Sequence, residues 1–253
     1  MSNNARRTNR KNKEDSGTQR VVKEKFQQER EESIRAKPLV AKTQAQIKYI
    51  EQLKTCKISV ASGHSGCGKS FVASYLAAQM LEKGQIEKIY ITRPYAHLGN
   101  DYGATPGSDF EKLFAFCRPM LDTIKNVVGT AKYNYYIEKG IVEIAPMEKV
   151  QGRSFDDPCV ILSDEIQNAT KAQVLSLITR IGEGVKFLAI MGDPRQSISK
   201  GENALDWVVS FFERHNIDGV GITHFTEKDC VRSGIVRDIL LAFEREGGFY
   251  NKL

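Results

Sequence analysis

Gly63-His64-Ser65-Gly66-Cys67-Gly68-Lys69-Ser70 fits the pattern G-x-x-x-x-G-K-[ST], and the apolar run Ile58-Ser59-Val60-Ala61 stands just before it. That run reads as a strand, and Val72, Tyr75, Leu76, Gln79 and Met80 behind the motif recur at helical spacing. A strand, a glycine-rich turn and a helix in this order make a cradle for the phosphates of a nucleoside triphosphate. Glycine has no Cβ, so backbone amides of the turn can converge on phosphate oxygens. The loop from Gly63 through His64, Ser65, Gly66, Cys67 and Gly68 is therefore the expected phosphate contact. Lys69 supplies charge for the β- and γ-phosphates, the Ser70 hydroxyl is a magnesium ligand, and the helix that follows turns its positive end to the anion.

A second motif lies downstream. Pro158-Cys159-Val160-Ile161-Leu162-Ser163 is a buried-strand run ending in two carboxylates, Asp164 and Glu165. Ligands of parallel α/β sheets gather beyond the carboxyl ends of the strands. There Asp164 is expected to hold the Mg2+ shell while Glu165 polarises the attacking water. The next strand ends in Met191-Gly192-Asp193-Pro194-Arg195-Gln196. Asp193 and Gln196 at that edge suit a γ-phosphate sensor, because they would change partners when the phosphate leaves; a plain Gly-Asp-Pro turn is the other reading.

Around these motifs strands and helices alternate. Helices are expected at 43–54, 69–82, 109–127, 170–181, 203–214 and 234–245, and strands at 57–62, 88–92, 141–145, 160–162, 186–191 and 220–225. That order predicts an α/β fold, a mainly parallel sheet covered on both faces in three layers. Arg93 to Ser108, rich in Gly and Pro, is too long for an ordinary turn and reads as a functional loop.

The chain of 253 residues carries a formal charge of +6, and its placement says more than its size. Residues 1–38 hold eleven basic and six acidic residues, leaving 26 against 25 in the rest. Such a segment is expected to be a disordered or solvated extension, either an arm following a phosphate backbone or a solubilising tail. Residues 39–253 are expected to form one domain. With no run of about 18 apolar residues, neither a membrane span nor a secretory signal is expected, and the location expected is cytoplasmic. Five scattered cysteines with no C-x-x-C pair speak against a disulfide framework and a zinc site. Cys67 has two readings, a thiol activated by loop amides and Lys69, or a small space-filler.

In combination these stretches resemble PhoH-like proteins. The resemblance is carried by Gly63–Ser70, Val150-Gln151-Gly152-Arg153-Ser154, Leu162–Asn168, Thr179-Arg180-Ile181-Gly182-Glu183-Gly184 and Gly192–Gln196, in that order, with Arg93-Pro94 and Thr43-Gln44-Ala45-Gln46 besides. It covers roughly residues 40–245 and implies a P-loop NTPase of the RecA-like type, similar to the first motor lobe of superfamily-one helicases. It implies an ATPase with ATP and Mg2+ as ligands and RNA-related or helicase-like activity. Lys69 and Ser70 would bind phosphate and Mg2+, Asp164 and Glu165 would be the hydrolytic pair, Gln196 the sensor, and Gln46 a reader of adenine. Gly152-Arg153-Ser154 would touch nucleic acid or a neighbouring subunit. The chain departs from the pattern at Asn100, where Glu is usual, and at Thr105-Pro106-Gly107-Ser108.

Phosphoryl transfer to water calls for an arginine to neutralise the developing charge. Arg180 and Arg232 are the two candidates. A helicase motor cleaves between two lobes and this chain has length for one, so a ring is expected, a hexamer on the family resemblance, with the arginine reaching into the adjacent site. Tyr95, Tyr102 and Phe155 are candidates for stacking on bases of single-stranded RNA or DNA; Tyr133-Asn134-Tyr135-Tyr136 reads as packing. Two other functions stay open: an ATP-switched assembly module, and a small-molecule kinase on the same loop. A GTPase is disfavoured, since no Asn-Lys-x-Asp motif is present.

Overall fold

A computed structural model describes residues 38–94, 109–150, 152–197 and 203–246. The expectations for the basic N-terminal segment and for Tyr95, Asn100, Tyr102 and Thr105–Ser108 lie outside these residues.

Six strands, β1 (Ile58–Gly63), β2 (Lys88–Arg93), β3 (Val142–Pro146), β4 (Cys159–Ser163), β5 (Val185–Gly192) and β6 (Val220–Phe225), form one sheet in the order β3-β2-β4-β5-β1-β6. Every pairing is parallel. The α/β expectation holds, and its cause is visible in the central strands. Val160 and Leu162 of β4 pack on one face while Cys159 and Ile161 pack on the other. In β5, Phe187, Ala189 and Met191 alternate in the same way with Leu188 and Ile190. A strand buried on both sides has to be apolar at every position.

On one face lie α1 (Gln44–Thr55), α2 (Lys69–Glu82), α3 (Asp109–Val128) and α4 (Thr130–Glu138). On the other lie α5 (Met147–Val150), α6 (Lys171–Ile178) and α7 (Ala204–His215), and α8 (Gly234–Arg245) follows β6. Thr43 caps α1 by accepting from the Gln46 amide, and Thr170 with Gln173 forms a capping box on α6. The expected elements occur with ends shifted by a residue or two, except that α6 stops at Ile178 where a helix to 181 was expected. Gly182 and Gly184 explain the stop. A Cβ on either would stand 2.3 Å or 2.0 Å from atoms of Asp156, so the chain from 155 to 157 crosses there in close contact.

Helix α4 has no counterpart in the sequence-based expectation. None of its residues is fully buried, and Tyr133, Tyr136 and Ile137 at helical spacing form a short, partly buried apolar face. It is held to α2 through Glu82, which pairs with Lys132 at 2.5 Å and accepts from Tyr136 Oη at 3.0 Å. Tyr133 and Tyr136 pack against the core, as expected of that cluster.

Candidate functional site

The strand order brings the ends of β2, β4, β5, β1 and β6 side by side at one edge of the sheet. Each end delivers one part of the site. Gly63 closes β1 at φ 136°, and a Cβ there would stand 1.9 Å from the Phe225 carbonyl oxygen, so only glycine lets β1 and β6 run this close. The loop then turns through Gly66 and Gly68 into α2, whose first turn has no side-chain cap. Its free amides are left for an anion.

Lys69 is 8 % exposed, and its ammonium donates to the carbonyls of Gly63 at 2.6 Å and His64 at 2.7 Å. Burial holds its pKa below the ordinary lysine value, and nearby Cys67, Asp193, Asp164 and Glu165 oppose that shift. Ser70 Oγ donates to Asp164 Oδ1 at 3.3 Å. These two oxygens, one from α2 and one from the end of β4, sit side by side as a hard divalent cation such as Mg2+ requires. The residues present therefore fit a magnesium-bound triphosphate.

Glu165 adopts φ 58°, ψ 37°, one of two non-glycine residues in the left-handed region among the described residues. Such a conformation is uncommon and clusters at functional sites. Here it separates neighbouring carboxylates, sending Asp164 to Ser70 and Glu165 to Arg93, whose Nη2 lies 3.2 Å from Oε1. Gln167 Nε2 donates to the other oxygen, Oε2, at 2.5 Å. Gln167 is fully buried, and its Oε1 accepts the Asp193 amide at 3.2 Å. Asp193 Oδ2 accepts from the Ser65 amide at 3.1 Å and from Gln196 Nε2 at 3.2 Å, and Oδ1 accepts from Arg195 Nε at 3.1 Å. One continuous line of contacts runs from the phosphate loop through Asp193 and Gln167 to Glu165.

A cleft of 280 Å³ opens over this cluster, lined among others by Lys69, Ser70, Arg93, Asp164, Glu165, Gln196 and Arg232. A larger cleft of 770 Å³ lies between α1 and α2, lined by residues such as Leu39, Ile50 and Met80 and none of these. The charged cluster, not the size, identifies the site.

The remaining candidates fall in three places. Gln46 is buried against the loop, donating from Nε2 to the Cys67 carbonyl at 2.9 Å and accepting the Lys42 amide at 2.8 Å. It braces the loop, and an adenine contact would use the second Nε2 hydrogen or the second lone pair of Oε1. Arg232 lies in its own chain's cleft, its side chain packed over Gly66, where Val231 also donates to the Gly66 carbonyl at 3.1 Å. Arg180 is outside the cleft lining; it reaches Ser176 Oγ at 3.3 Å and the Arg153 carbonyl at 3.2 Å.

One candidate is corrected and one open choice is decided. Phe155 is 2 % exposed and stands edge-on to Tyr90 with centroids 4.8 Å apart, so it is core and offers no face to a base. Of the two readings for Cys67 the space-filler holds: it is buried, and burial outweighs Lys69 and pushes its pKa up to about 12. Arg153, from the Gly152-Arg153-Ser154 signature, is engaged inside the fold with Glu143, which also pairs with Lys88 at 2.8 Å. Sequence reasoning gave no role to Arg93 or Gln167. Their signal was position, one at the end of a strand beside β4 and the other two residues past Glu165.

Residues 38–244 match the sequence profile of the PhoH family, described as PhoH-like protein. The chain belongs to the PhoH-like protein family. It is 33 % identical over 222 residues to the PhoH-like protein of Bacillus subtilis strain 168, covering 87 % of this chain and 69 % of the relative. Protein PhoH of Escherichia coli K12 is 34 % identical over 210 residues, covering 81 % of this chain and 58 % of the relative. This PhoH-like chain thus spans about three fifths to two thirds of the curated relatives it matches. Among solved structures it is similar to the UvsW helicase of bacteriophage T4, at 16 % identity, TM-score 0.44, covering 76 % of this chain and 62 % of that one. The large terminase of a thermophilic bacteriophage aligns at 12 % identity, TM-score 0.49, covering 78 % of this chain and 49 % of that one. No helix among the described residues of the PhoH-like chain is long and apolar enough to cross a membrane.

Proposed function

We propose that residues 39–253 act as one Mg2+-dependent ATPase domain in the cytoplasm, coupling hydrolysis to movement on, or remodelling of, RNA or single-stranded DNA as a ring of identical subunits, a hexamer. The observation that carries the ATPase reading is the contact of Ser70 with Asp164 at 3.3 Å beside a buried Lys69. Loop amides and Lys69 hold the β- and γ-phosphates. Mg2+, when bound through Ser70 and Asp164, neutralises phosphate charge. Glu165 takes the proton from the attacking water as its oxygen bonds the γ-phosphorus, and the bridging oxygen leaves with ADP. Asp193 and Gln196 register the loss of the γ-phosphate and pass it to the loop through Ser65. Arg232 serves its own site, and Arg180 is the candidate to reach a neighbour's.

The ring is supported by the last helix. Ile235 and Ile239 of α8, one turn apart and just past Arg232, are 66 % and 59 % exposed. An apolar pair in that position suits a second subunit beside the cleft. The same pair favours, as a second reading, a module whose hydrolysis times assembly without nucleic acid.

Phosphate release from ATP by the wild type and Glu165→Gln, with and without single-stranded RNA or DNA, is read beside a sizing run. Stimulation by nucleic acid that disappears in the variant, in a multi-subunit species, is the expected result. Hydrolysis indifferent to nucleic acid moves the reading to the assembly switch, and failure to bind ATP sinks the ATPase reading altogether.

A further inference from the structure

We infer that Arg93 is a further residue, beside Asp193 and Gln196, with which the chain senses a terminal phosphate, its ion pair with Glu165 being the resting side of an exchange. This rests on the ATPase reading of the cleft. Arg93 ends β2, the neighbour of β4, and so rises from the sheet edge one strand away from Asp164 and Glu165. Its Nη2 lies 3.2 Å from Glu165 Oε1, while Nη1 donates to the Phe116 carbonyl at 2.6 Å and the guanidinium stands 5.6 Å from the centre of the Phe116 ring. Its side chain lines the same cleft as Lys69 and Ser70.

Both carboxylate oxygens of Glu165 are engaged, one by Arg93 and one by Gln167. Each oxygen keeps a second lone pair, but the guanidinium stands on the cleft side of Oε1, and its departure opens that oxygen to the attacking water. Gln167 is fully buried and fixed at its other end by the Asp193 amide. Arg93 faces the cleft, and its planar fork of donors matches a phosphate as well as a carboxylate. A γ-phosphate held by Lys69 and Ser70 competes for that fork. Anchored at Phe116, the guanidinium swings to the phosphate, and Oε1 of Glu165 is released for the water. ADP, without the γ-phosphate, leaves the ion pair in place. Arg93 is thereby a positioning residue that withholds Glu165 until a triphosphate is present.

The test is a binding titration of the full chain with MgADP and with the magnesium complex of a non-hydrolysable ATP analogue, using wild type, Arg93→Ala, Arg93→Lys, Glu165→Gln and the double variant Arg93→Ala/Glu165→Gln. Arg93→Ala is expected to lose roughly 10- to 100-fold in analogue affinity, the size of a charge-assisted contact, with MgADP affinity within about twofold. Glu165→Gln frees the guanidinium and is expected to gain about threefold or more for the analogue, a gain absent in the double variant. Arg93→Lys, with charge but no fork, should fall between. Should Arg93→Ala lose MgADP binding through misfolding, Arg93→Lys decides: selective weakening of the analogue supports the inference, and none overturns it. Equal changes for both nucleotides, no change for either, or a Glu165→Gln gain that persists without Arg93 also overturns it. Wild type that binds neither nucleotide removes the ATPase reading instead, and this inference with it.

Discussion

Ser70 and Asp164, 94 positions apart in the chain, meet at 3.3 Å across the mouth of the cleft. One comes from the first turn of α2 and the other from the end of β4, and β5 lies between β4 and the strand that feeds the loop. If the pair holds one cation, removing either ligand removes the same interaction. Ser70→Ala and Asp164→Asn are each expected to lower Mg2+-dependent phosphate release by about 100-fold or more, and the double variant should be little worse than the lower single. A magnesium titration of the rate in all three proteins checks this, and full additivity would separate the two residues.

Gly66 sits at φ 78°, with the space for a Cβ taken by Arg232 Cδ and Nε, each 2.9 Å away. Gly66→Ala therefore meets two obstacles, a strained backbone of about 1–2 kcal/mol and a side chain in the way. Arg232→Ala removes the second and not the first. The double variant should recover part of the thermal stability lost by Gly66→Ala, read by calorimetry; no recovery would show that the backbone accounts for all of it.

Most of the sheet and the phosphate loop were legible in the sequence, because each signal there is local. A short apolar run such as Cys159–Leu162, rich in β-branched residues, suits a strand covered on both faces, and the loop's glycines are written next to Lys69. The place of Asp164 and Glu165 was legible for the same reason, two carboxylates written at a strand's end. What could not be read is partnership. Arg93 and Glu165 become neighbours only through the β2–β4 pairing, and Gln167 acquires its place only because β5 brings Asp193 beside it. Phe155 is a candidate for base stacking by its Gly-Arg-Ser setting, which reads as exposed loop, whereas the crossing with Ile181 buries it. Helix α4 carries only the short apolar set Tyr133, Tyr136 and Ile137, and the polar tie to Glu82 that completes its seat comes from another helix.

Glu143 joins Lys88 and Arg153 in one cluster. Burial pushes its carboxyl up, but the hydrogen bonds and charges of the two cations together outweigh this and hold it below the ordinary carboxylate value. With a folded pKa below the unfolded one, the stabilisation is complete above the unfolded value and fades as pH falls through the folded one. Glu143→Gln should cost about 1–2 kcal/mol at pH 7, between an exposed and a buried ion pair. The gap from wild type should shrink in urea melts run below about pH 4. A gap that stays constant into acid would show that shape, not charge, sets the cost.

Cys67 is buried in the phosphate loop with its thiol pushed up to about 12, while Cys56 is partly exposed at the end of α1. Thiolate is the reactive form, and burial keeps Cys67 in the thiol form at neutral and mildly alkaline pH. Iodoacetamide should label Cys56 first and leave Cys67 unmodified in the folded protein, as peptide mass spectrometry would show. Early labelling of Cys67 would mean that the loop opens far more often than its packing suggests.

Gln167 is the joint between the two halves of the site, donating to Glu165 Oε2 at 2.5 Å and accepting the Asp193 amide at 3.2 Å. It is not itself among the residues that line the cleft, so its effect has to pass through Glu165 and Asp193, which are. Gln167→Leu keeps roughly the volume and removes both contacts, leaving Glu165 less well aimed and the buried Asp193 amide without its acceptor. Supporting contacts of this kind are worth about 10- to 100-fold where their loss misplaces a reacting group. The loss should therefore appear in kcat for ATP hydrolysis with KM nearly unchanged, because the loop amides, Lys69 and Ser70, to which phosphate binding is assigned in the proposed function, are untouched. Gln167→Glu separates aim from charge: it can still accept from Asp193 but sets a second carboxylate against Glu165, and should be at least as impaired as Gln167→Leu. A rise in KM with kcat intact would instead place Gln167 in support of the loop through Asp193 and Ser65, and would detach it from the chemistry at Glu165.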